Sequence, residues 1–192
     1  TCALPISGEM YANCLLPQFY YNNSEYRNAI VALTSPDDTL NCNIAISKIN
    51  KEGIPLDIRM SNKAFENKLS ANLSFDNNAN KHIKGNVEAT ALFSSNDNNP
   101  TAHISIHPSQ LSLNDDLWQI APSKVVYSEK NISVDKFVVS HNRESITISG
   151  NASESPDDQL TVSLRNIDVD YILNLVNFRS VKFGGKASGR AV

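Results

Sequence analysis

Apolar and polar residues alternate with a period of two along most of this chain. Successive side chains of a strand point to opposite faces, so the alternation is typical of strands with one apolar and one polar face. Turn-rich segments such as DNNANK and SSNDNNPT separate the alternating stretches. These stretches are residues 4–16, 40–49, 54–60, 67–75, 82–93, 103–108, 145–153 and 160–166. Their regular spacing predicts an all-β chain whose strands form a long antiparallel meander.

Two segments depart from this alternation. In NIDVDYILNLVNF (166–178), apolar residues recur every three or four positions behind a possible N-cap at Asn166 or Asp168. We therefore expect one short accessory helix near 168–177. The segment QFYYNNSEYRNAI (18–30) contains clustered aromatic residues without a clear period of two, and it predicts an irregular or weakly helical stretch.

The segment FGGKASGRAV at the end of the sequence carries little on one of its faces. Gly185, Ala187 and Gly189 share that face, whereas the other face carries charged and hydroxyl side chains. The same phase of small residues recurs in ISGEMYANC (6–14). Two explanations remain open. The small residues leave room for a ligand along that face, or they mark bulges and close approaches between backbones.

Composition and charge limit the classes of partner. The chain has 192 residues, of which 41% are hydrophobic and 19% charged, and its net charge is −3. This is too apolar for a disordered chain, and no basic field points to nucleic acid. No run approaches the roughly 20 apolar residues of a membrane-spanning helix. We expect a folded chain that binds no nucleic acid.

Candidate catalytic and metal-binding residues are sparse. His103 and His107 lie on one face of a strand but about 13 Å apart, too far to share a metal, and we expect both to face solvent. The acidic pairs at 36–38, 114–116 and 156–158 lie in predicted turns, where Asp makes local hydrogen bonds. No nucleophile, phosphate-loop or metalloprotease motif occurs. The sequence therefore predicts no enzyme, cofactor or metal site.

The cysteines and the single tryptophan favour structural roles. Cys2, Cys14 and Cys42 are odd in number, and the last two are in phase with apolar neighbours. They are expected to be small buried hydrophobic residues rather than a disulfide. Trp118, in a strand that Pro122 ends, is expected to anchor the fold rather than to stack on a ligand.

The order of several segments in residues 111–192 resembles the C-terminal region of the TamB family, part of the AsmA-like group, in its Bacteroidetes form. No single one of these segments is specific to the family, but the order in which they occur is. Residues 1–110 share with the family only the pattern of alternating strands. The matching segments are Trp118 followed by Pro122 and Ser123, ISVDKF (132–137), ITISGNAS (146–153), NIDVDYIL (166–173) and FGGKASGRA (183–191).

This resemblance implies a fold, a location and partners. Family members are large envelope proteins with an N-terminal membrane anchor and a long periplasmic β-sheet. This sheet is curled into an open (β-taco-like) groove whose inner surface is apolar. The chain 1–192 would then be a single fragment of a longer β-groove, with weakly matched strand repeats at 1–110 and a TamB-like segment at 111–192. The resemblance implies a periplasmic location, with anchoring to the inner membrane by an N-terminal helix absent from this sequence.

The same resemblance implies that the groove carries phospholipid or another acyl-chain lipid. Family members are implicated in phospholipid transport to the outer membrane and in outer-membrane protein assembly and secretion. An outer-membrane β-barrel partner would bind through regions absent here. Residues that share the apolar phase would line the groove. They are Leu69, Ala71, Leu73, Phe75, Ile83, Val87, Ala89, Ile104, Ile106, Ile146, Ile148, Leu160, Val162, Leu164, Gly185, Ala187 and Gly189.

A second class of function is also compatible with the sequence. A cell-surface β-sandwich adhesin or glycan-binding module would expose aromatic residues on a polar platform, and Tyr20, Tyr21 and Tyr26 form the best such cluster. Aromatic residues make up only 7% of the chain and otherwise fall mostly on apolar faces, which favours the lipid groove.

Overall fold

Strand follows strand throughout the computed structural model, which describes residues 9–50, 52–77, 83–96, 99–113, 115–168 and 185–192. Within these ranges there is no helix, and the predicted all-β class is confirmed. The strands are β1 (Tyr11–Tyr21), β2 (Ser24–Thr34), β3 (Thr39–Ile49), β4 (Pro55–Phe65), β5 (Lys68–Asp76), β6 (Ile83–Asn96), β7 (Asn99–Ile106), β8 (Ser109–Leu113), β9 (Asp116–Ile120), β10 (Ser123–Ser128), β11 (Asn131–His141), β12 (Glu144–Ala152), β13 (Leu160–Asp168) and β14 (Lys186–Ala191).

All fourteen strands belong to one antiparallel sheet. β7 and β8 lie end to end along β6, and β9 and β10 lie end to end along β11, with Pro108 and Pro122 at the two breaks. The ladder continues across both breaks, because His107 N donates to Glu88 O and Ala121 N donates to Val138 O. Proline lacks the N–H that a central strand needs, which explains the interruptions. The fold is therefore a sequential meander, as predicted.

The sheet is open. Among the described residues, β1 pairs with β2 alone and β14 pairs with β13 alone, so the two edge strands do not meet in a barrel. Both halves of the chain belong to this same sheet. The β-sandwich considered as an alternative is therefore wrong for the described part of the chain, because the strand phase fixes a shared face but not how many sheets form.

The strand register places the apolar phase of neighbouring strands on one face. Directly opposed residues of an antiparallel pair lie on the same face. Phe75 of β5 lies between Ile58 of β4 and Gly85 of β6, and Ile148 of β12 lies between Phe137 and Val162. We call the face that carries Phe75 and Ile148 the apolar face and the opposite one the polar face.

Three β-bulges keep apolar residues on this face where the simple alternation fails. Each bulge adds one residue: Asn28 in β2, one of Asp135 and Lys136 in β11, where the two together oppose a single residue of β12, and Asn166 in β13. Asn28 and Asn166 have φ angles of 53° and 51°, which asparagine tolerates better than most residues. Past its bulge, β13 returns Ile167 to the apolar face, where it is 1% exposed.

The segment 18–30 is a β-hairpin, so the expectation of an irregular or helical stretch is wrong. Asn22 and Asn23 form a two-residue turn with φ angles of 46° and 58°, between the opposed residues Tyr21 and Ser24. Positive φ at both positions is the hairpin turn whose twist matches its strands. The rings of Phe19 and Tyr26 stack across the two strands with centroids 5.1 Å apart. The alternation fails in this segment because the aromatic Tyr20 lies on the polar face and Asn28 is a bulge residue.

The predicted helix near 168–177 lies outside the described residues except for its first position. Asp168 is the last residue of β13 and lies opposite Lys186 of β14. Of the alternating stretch predicted at 4–16, residues 4–8 likewise lie outside the described residues, and β1 begins at Tyr11.

Buried residues of the described chain all lie on the apolar face. Most other apolar side chains on this face are half-buried, whereas the interior of a closed sandwich buries them fully. This distribution indicates that the apolar face is the inner side of an open, curled sheet. The buried residues are Ala29, Gly85, Ala91, Ala102, Trp118, Ile120, Ser123, Glu144 and Ile167.

Candidate functional site

The register brings the candidate lining residues together, with one exception. Gly150 of β12 lies opposite Leu160 of β13 on one side and opposite Val134 of β11 on the other. Val134 lies opposite Val125 of β10, which lies opposite Ile104 of β7. Both halves of the sheet therefore share one surface. The residues on this surface are Leu69, Ala71, Leu73, Phe75, Ile83, Val87, Ala89, Ile104, Ile106, Ile146, Ile148, Leu160, Val162, Leu164, Ala187 and Gly189.

Gly185 is the exception. It precedes β14, lies outside the ladder and has a φ of 119°. The strand alternation that grouped it with Ala187 and Gly189 does not extend to it, and the candidate lining set is corrected accordingly.

Sequence reasoning left out part of the apolar face. The missed residues carry the same period-two phase, and only the pairing between strands shows that they continue the same surface. They include Val31, Leu33, Cys42, Ile44, Ile46, Ile58, Met60, Leu111, Trp118, Ile120, Val125, Val134, Phe137 and Val139.

Three glycines show that small residues serve different purposes in this sheet. A Cβ on Gly85 would come 2.5 Å from Phe75 Cζ, so that space is already filled by a ring. At Gly150, with φ of 111°, a Cβ would collide with the backbone carbonyl of Gln159. Among the described residues, no atom lies within 4 Å of a Cβ built on Gly189. The close-approach explanation therefore holds at Gly150, and open space on the apolar face exists at Gly189.

One end of the apolar face exposes a row of large side chains. Phe93, Tyr127 and Ile132 lie along a single cross-strand line and are 44%, 47% and 40% exposed. This is the end of the strands where Asn96 of β6 pairs with Asn99 of β7 and where residues 129–130 connect β10 to β11. A contiguous exposed apolar patch marks a surface suited to binding apolar partners.

The opposite end of the face carries charge. Glu144, 8% exposed, accepts a hydrogen bond of 2.6 Å from Lys186 Nζ, which joins β12 to β14 across the intervening strand. His141, opposite Glu144, packs against Trp118 with ring centroids 5.5 Å apart, and its Nδ1 lies 2.7 Å from Leu117 O. Trp118 is 2% exposed, in keeping with a structural anchor.

The other candidate residues do not assemble a chemical site. His103 and His107 are both exposed on the polar face, and His107 Nε2 lies 2.9 Å from Thr90 Oγ1. The acidic pairs occupy turns, where Asp37, Asp38 and Asp115 have positive φ. Within the described ranges, no group of three or more His, Cys, Asp or Glu side chains could hold a metal ion.

The cysteines and tyrosines differ partly from expectation. Cys14 and Cys42 are free thiols on the apolar face, and Cys2 lies outside the described residues. Cys14 is exposed rather than buried, because within the described ranges its strand β1 has a neighbour on one side alone. Tyr20 lies on the face opposite Tyr26, so the three tyrosines do not form one platform.

The comparisons with known proteins give no match: no family model, no curated protein and no solved structure is similar to this chain. Among the described residues there is also no helix of the length and apolarity needed to cross a bilayer.

Proposed function

We propose that this chain is a non-catalytic, hydrophobic-groove module of a TamB-like envelope protein. Its apolar face carries or shields phospholipid acyl chains between the inner and outer membranes, assists outer-membrane protein assembly and secretion, or does both. The module works in the periplasm, anchored by an N-terminal helix outside this sequence. A β-barrel partner binds through regions that are also outside it.

The single observation that carries the proposal is the continuity of the apolar face. It crosses the whole sheet from β1 to β14, and most of its side chains are only half-buried. A closed domain would cover such a surface with a second layer of its own structure. An open sheet leaves it to another apolar partner, and a bilayer lipid supplies long apolar chains.

Acyl chains suit this surface energetically because their binding needs no directional contacts. Each methylene removed from water contributes about 0.8 kcal/mol, so the affinity grows with the length of chain that is covered. The face presents branched side chains along its middle strands and open space at Gly189. Such a surface holds lipid without turnover.

The test compares two glutamate substitutions on neighbouring positions of β12. Ile148 lies on the apolar face opposite Phe137 and Val162, whereas Thr147 lies on the polar face opposite Val138 and Ser163. Ile148→Glu places a carboxylate among acyl chains, where desolvation is unfavourable by several kcal/mol. Thr147→Glu keeps its charge in water.

Native mass spectrometry of each purified variant, with a parallel thermal melt, supplies the readout. We expect the wild type and Thr147→Glu to carry phospholipid, and Ile148→Glu to fold with most of that lipid lost. In the full-length protein, Ile148→Glu should also impair envelope integrity, and Val162→Glu should behave in the same way. A folded Ile148→Glu protein that retains its lipid contradicts the proposal. An unfolded one indicates that the face is covered by protein.

A further inference from the structure

The polar face carries a second surface that the lipid proposal leaves unused. Directly opposed polar residues from five adjacent strands form a straight line across the sheet, which Ala45 continues on β3. This line consists of Arg59, Ser74, Asn86, Gln110 and Gln119. We call the surface around the line the polar trough.

Two cavities with common lining residues lie along the polar trough. A cavity of about 500 Å³ extends from Arg59 past Lys84 to Leu117. A neighbouring cavity of about 350 Å³ shares Arg59 and Ser74 with it and reaches Ile30. From Ile30 to Leu117 the trough crosses six strand spacings, a distance of about 29 Å.

Hydrogen-bonding groups in the trough are largely unused by the protein itself. Within the described chain, the side chains of Arg59, Ser74, Gln110 and Gln119 make no hydrogen bond or ion pair. Side-chain amides offer both donors and acceptors, and the guanidinium group offers five donors. A ligand rich in hydroxyl groups, each a donor and an acceptor, matches this set.

Charge in the trough is balanced. Asp57 and Asp76 oppose Arg59 and Lys84 around the larger cavity, and Lys84 Nζ lies 3.5 Å from Asp76 Oδ2. A polyanion such as nucleic acid would therefore find no excess of positive charge. The balance favours a neutral ligand.

Apolar side chains lie at both ends of the trough. Leu117 is 50% exposed and Ile30 is 40% exposed, and both line its cavities. The C–H face of a sugar ring packs on such side chains while the ring hydroxyls bind amides. We propose that the polar trough binds a neutral oligosaccharide chain laid across β2 to β9.

This proposal is independent of the lipid proposal because the two surfaces lie on opposite faces of one sheet. The test titrates the isotope-labelled chain with three neutral hexasaccharides, maltohexaose, cellohexaose and N-acetylchitohexaose, and with an acidic hexagalacturonate. We expect at least one neutral sugar to shift trough amide signals with a Kd of about 0.1–1 mM.

Variants then locate the binding. Arg59→Ala and Gln110→Ala should each weaken the interaction, the first about tenfold or more because its hydrogen bonds are charge-assisted. The control Arg165→Ala removes an exposed arginine from β13, outside the trough, and should leave the affinity unchanged. Amide spectra outside the trough check that each variant is folded.

Three results would overturn the proposal. The first is that no neutral sugar, at a concentration about ten times the expected Kd, shifts the amide signals of the trough. The second is that hexagalacturonate alone binds. The third is that folded Arg59→Ala and Gln110→Ala variants both bind the neutral sugar with unchanged affinity.

Discussion

The ring of Phe75 occupies the space that a side chain at Gly85 of the neighbouring strand would need. The two residues lie directly opposite one another in β5 and β6, and Leu111 Cδ2 closes the same space from β8. An aromatic ring that packs over a cross-strand glycine restores the apolar contact that glycine lacks. Gly85 is thus part of the packing of the apolar face and offers no room to a ligand.

The packing at Gly85 predicts opposite outcomes for two glycine substitutions. Gly85→Ala brings a methyl group to 2.5 Å from Phe75 Cζ and should lower the free energy of unfolding by about 1–3 kcal/mol. The methyl group of Gly189→Ala has no neighbour within 4 Å in the described part of the chain, so this substitution should be neutral or slightly stabilising. Chemical denaturation measures both, and equal losses for the two variants would show that Phe75 does not hold this position.

The Asn22–Asn23 turn predicts a strong dependence on backbone conformation. Asn23→Gly should raise the free energy of unfolding by up to about 1 kcal/mol, and Asn23→Val should lower it by about 1–2 kcal/mol, because a branched residue resists positive φ. Ser24→Val, one position later in β2, is the control and should cause no loss. The denaturation midpoints check the series, and a Val that is tolerated at 23 would contradict this turn geometry.

The Glu144–Lys186 pair predicts a non-additive double substitution. Lys186→Met leaves a buried carboxylate without its cation and should lower the free energy of unfolding by about 1–3 kcal/mol, since the lysine itself is largely exposed. Adding Glu144→Leu removes the buried charge and should recover most of that loss. A double variant as unstable as Lys186→Met alone would show that the loss does not come from an unpaired Glu144 carboxylate.

The two described thiols should differ in reactivity. In a Cys2→Ser background, an aromatic disulfide reagent should modify Cys14 on mixing and Cys42 more slowly, because Cys14 lies exposed on an edge strand. Cys14→Ser should abolish the fast phase and leave the slow one. A fast phase that persists in this variant would place Cys42 at the surface instead.

The alternation of side chains along the sequence predicts much of the candidate site. Leu69 and Ile148 lie far apart in the sequence and yet share the apolar face, because side-chain phase is a local property of every strand. The same alternation misleads where a local irregularity interrupts it. In the hairpin around Asn22 and Asn23, the aromatic Tyr20 lies on the polar face and Asn28 adds a bulge residue, so the period of two fails there.

The sequence by itself determined that this chain forms antiparallel strands with one apolar and one polar face, since both features arise from neighbouring residues. Tertiary structure alone decided that the strands join one open sheet, that Asn28 and Asn166 are bulges, and that Cys14 is exposed at an edge. It also decided that the Phe75 ring fills the space beside Gly85, whereas among the described residues the space beside Gly189 is open. These properties depend on the pairing of residues distant in sequence, and a period of two carries no information about which strand lies alongside or what covers a face.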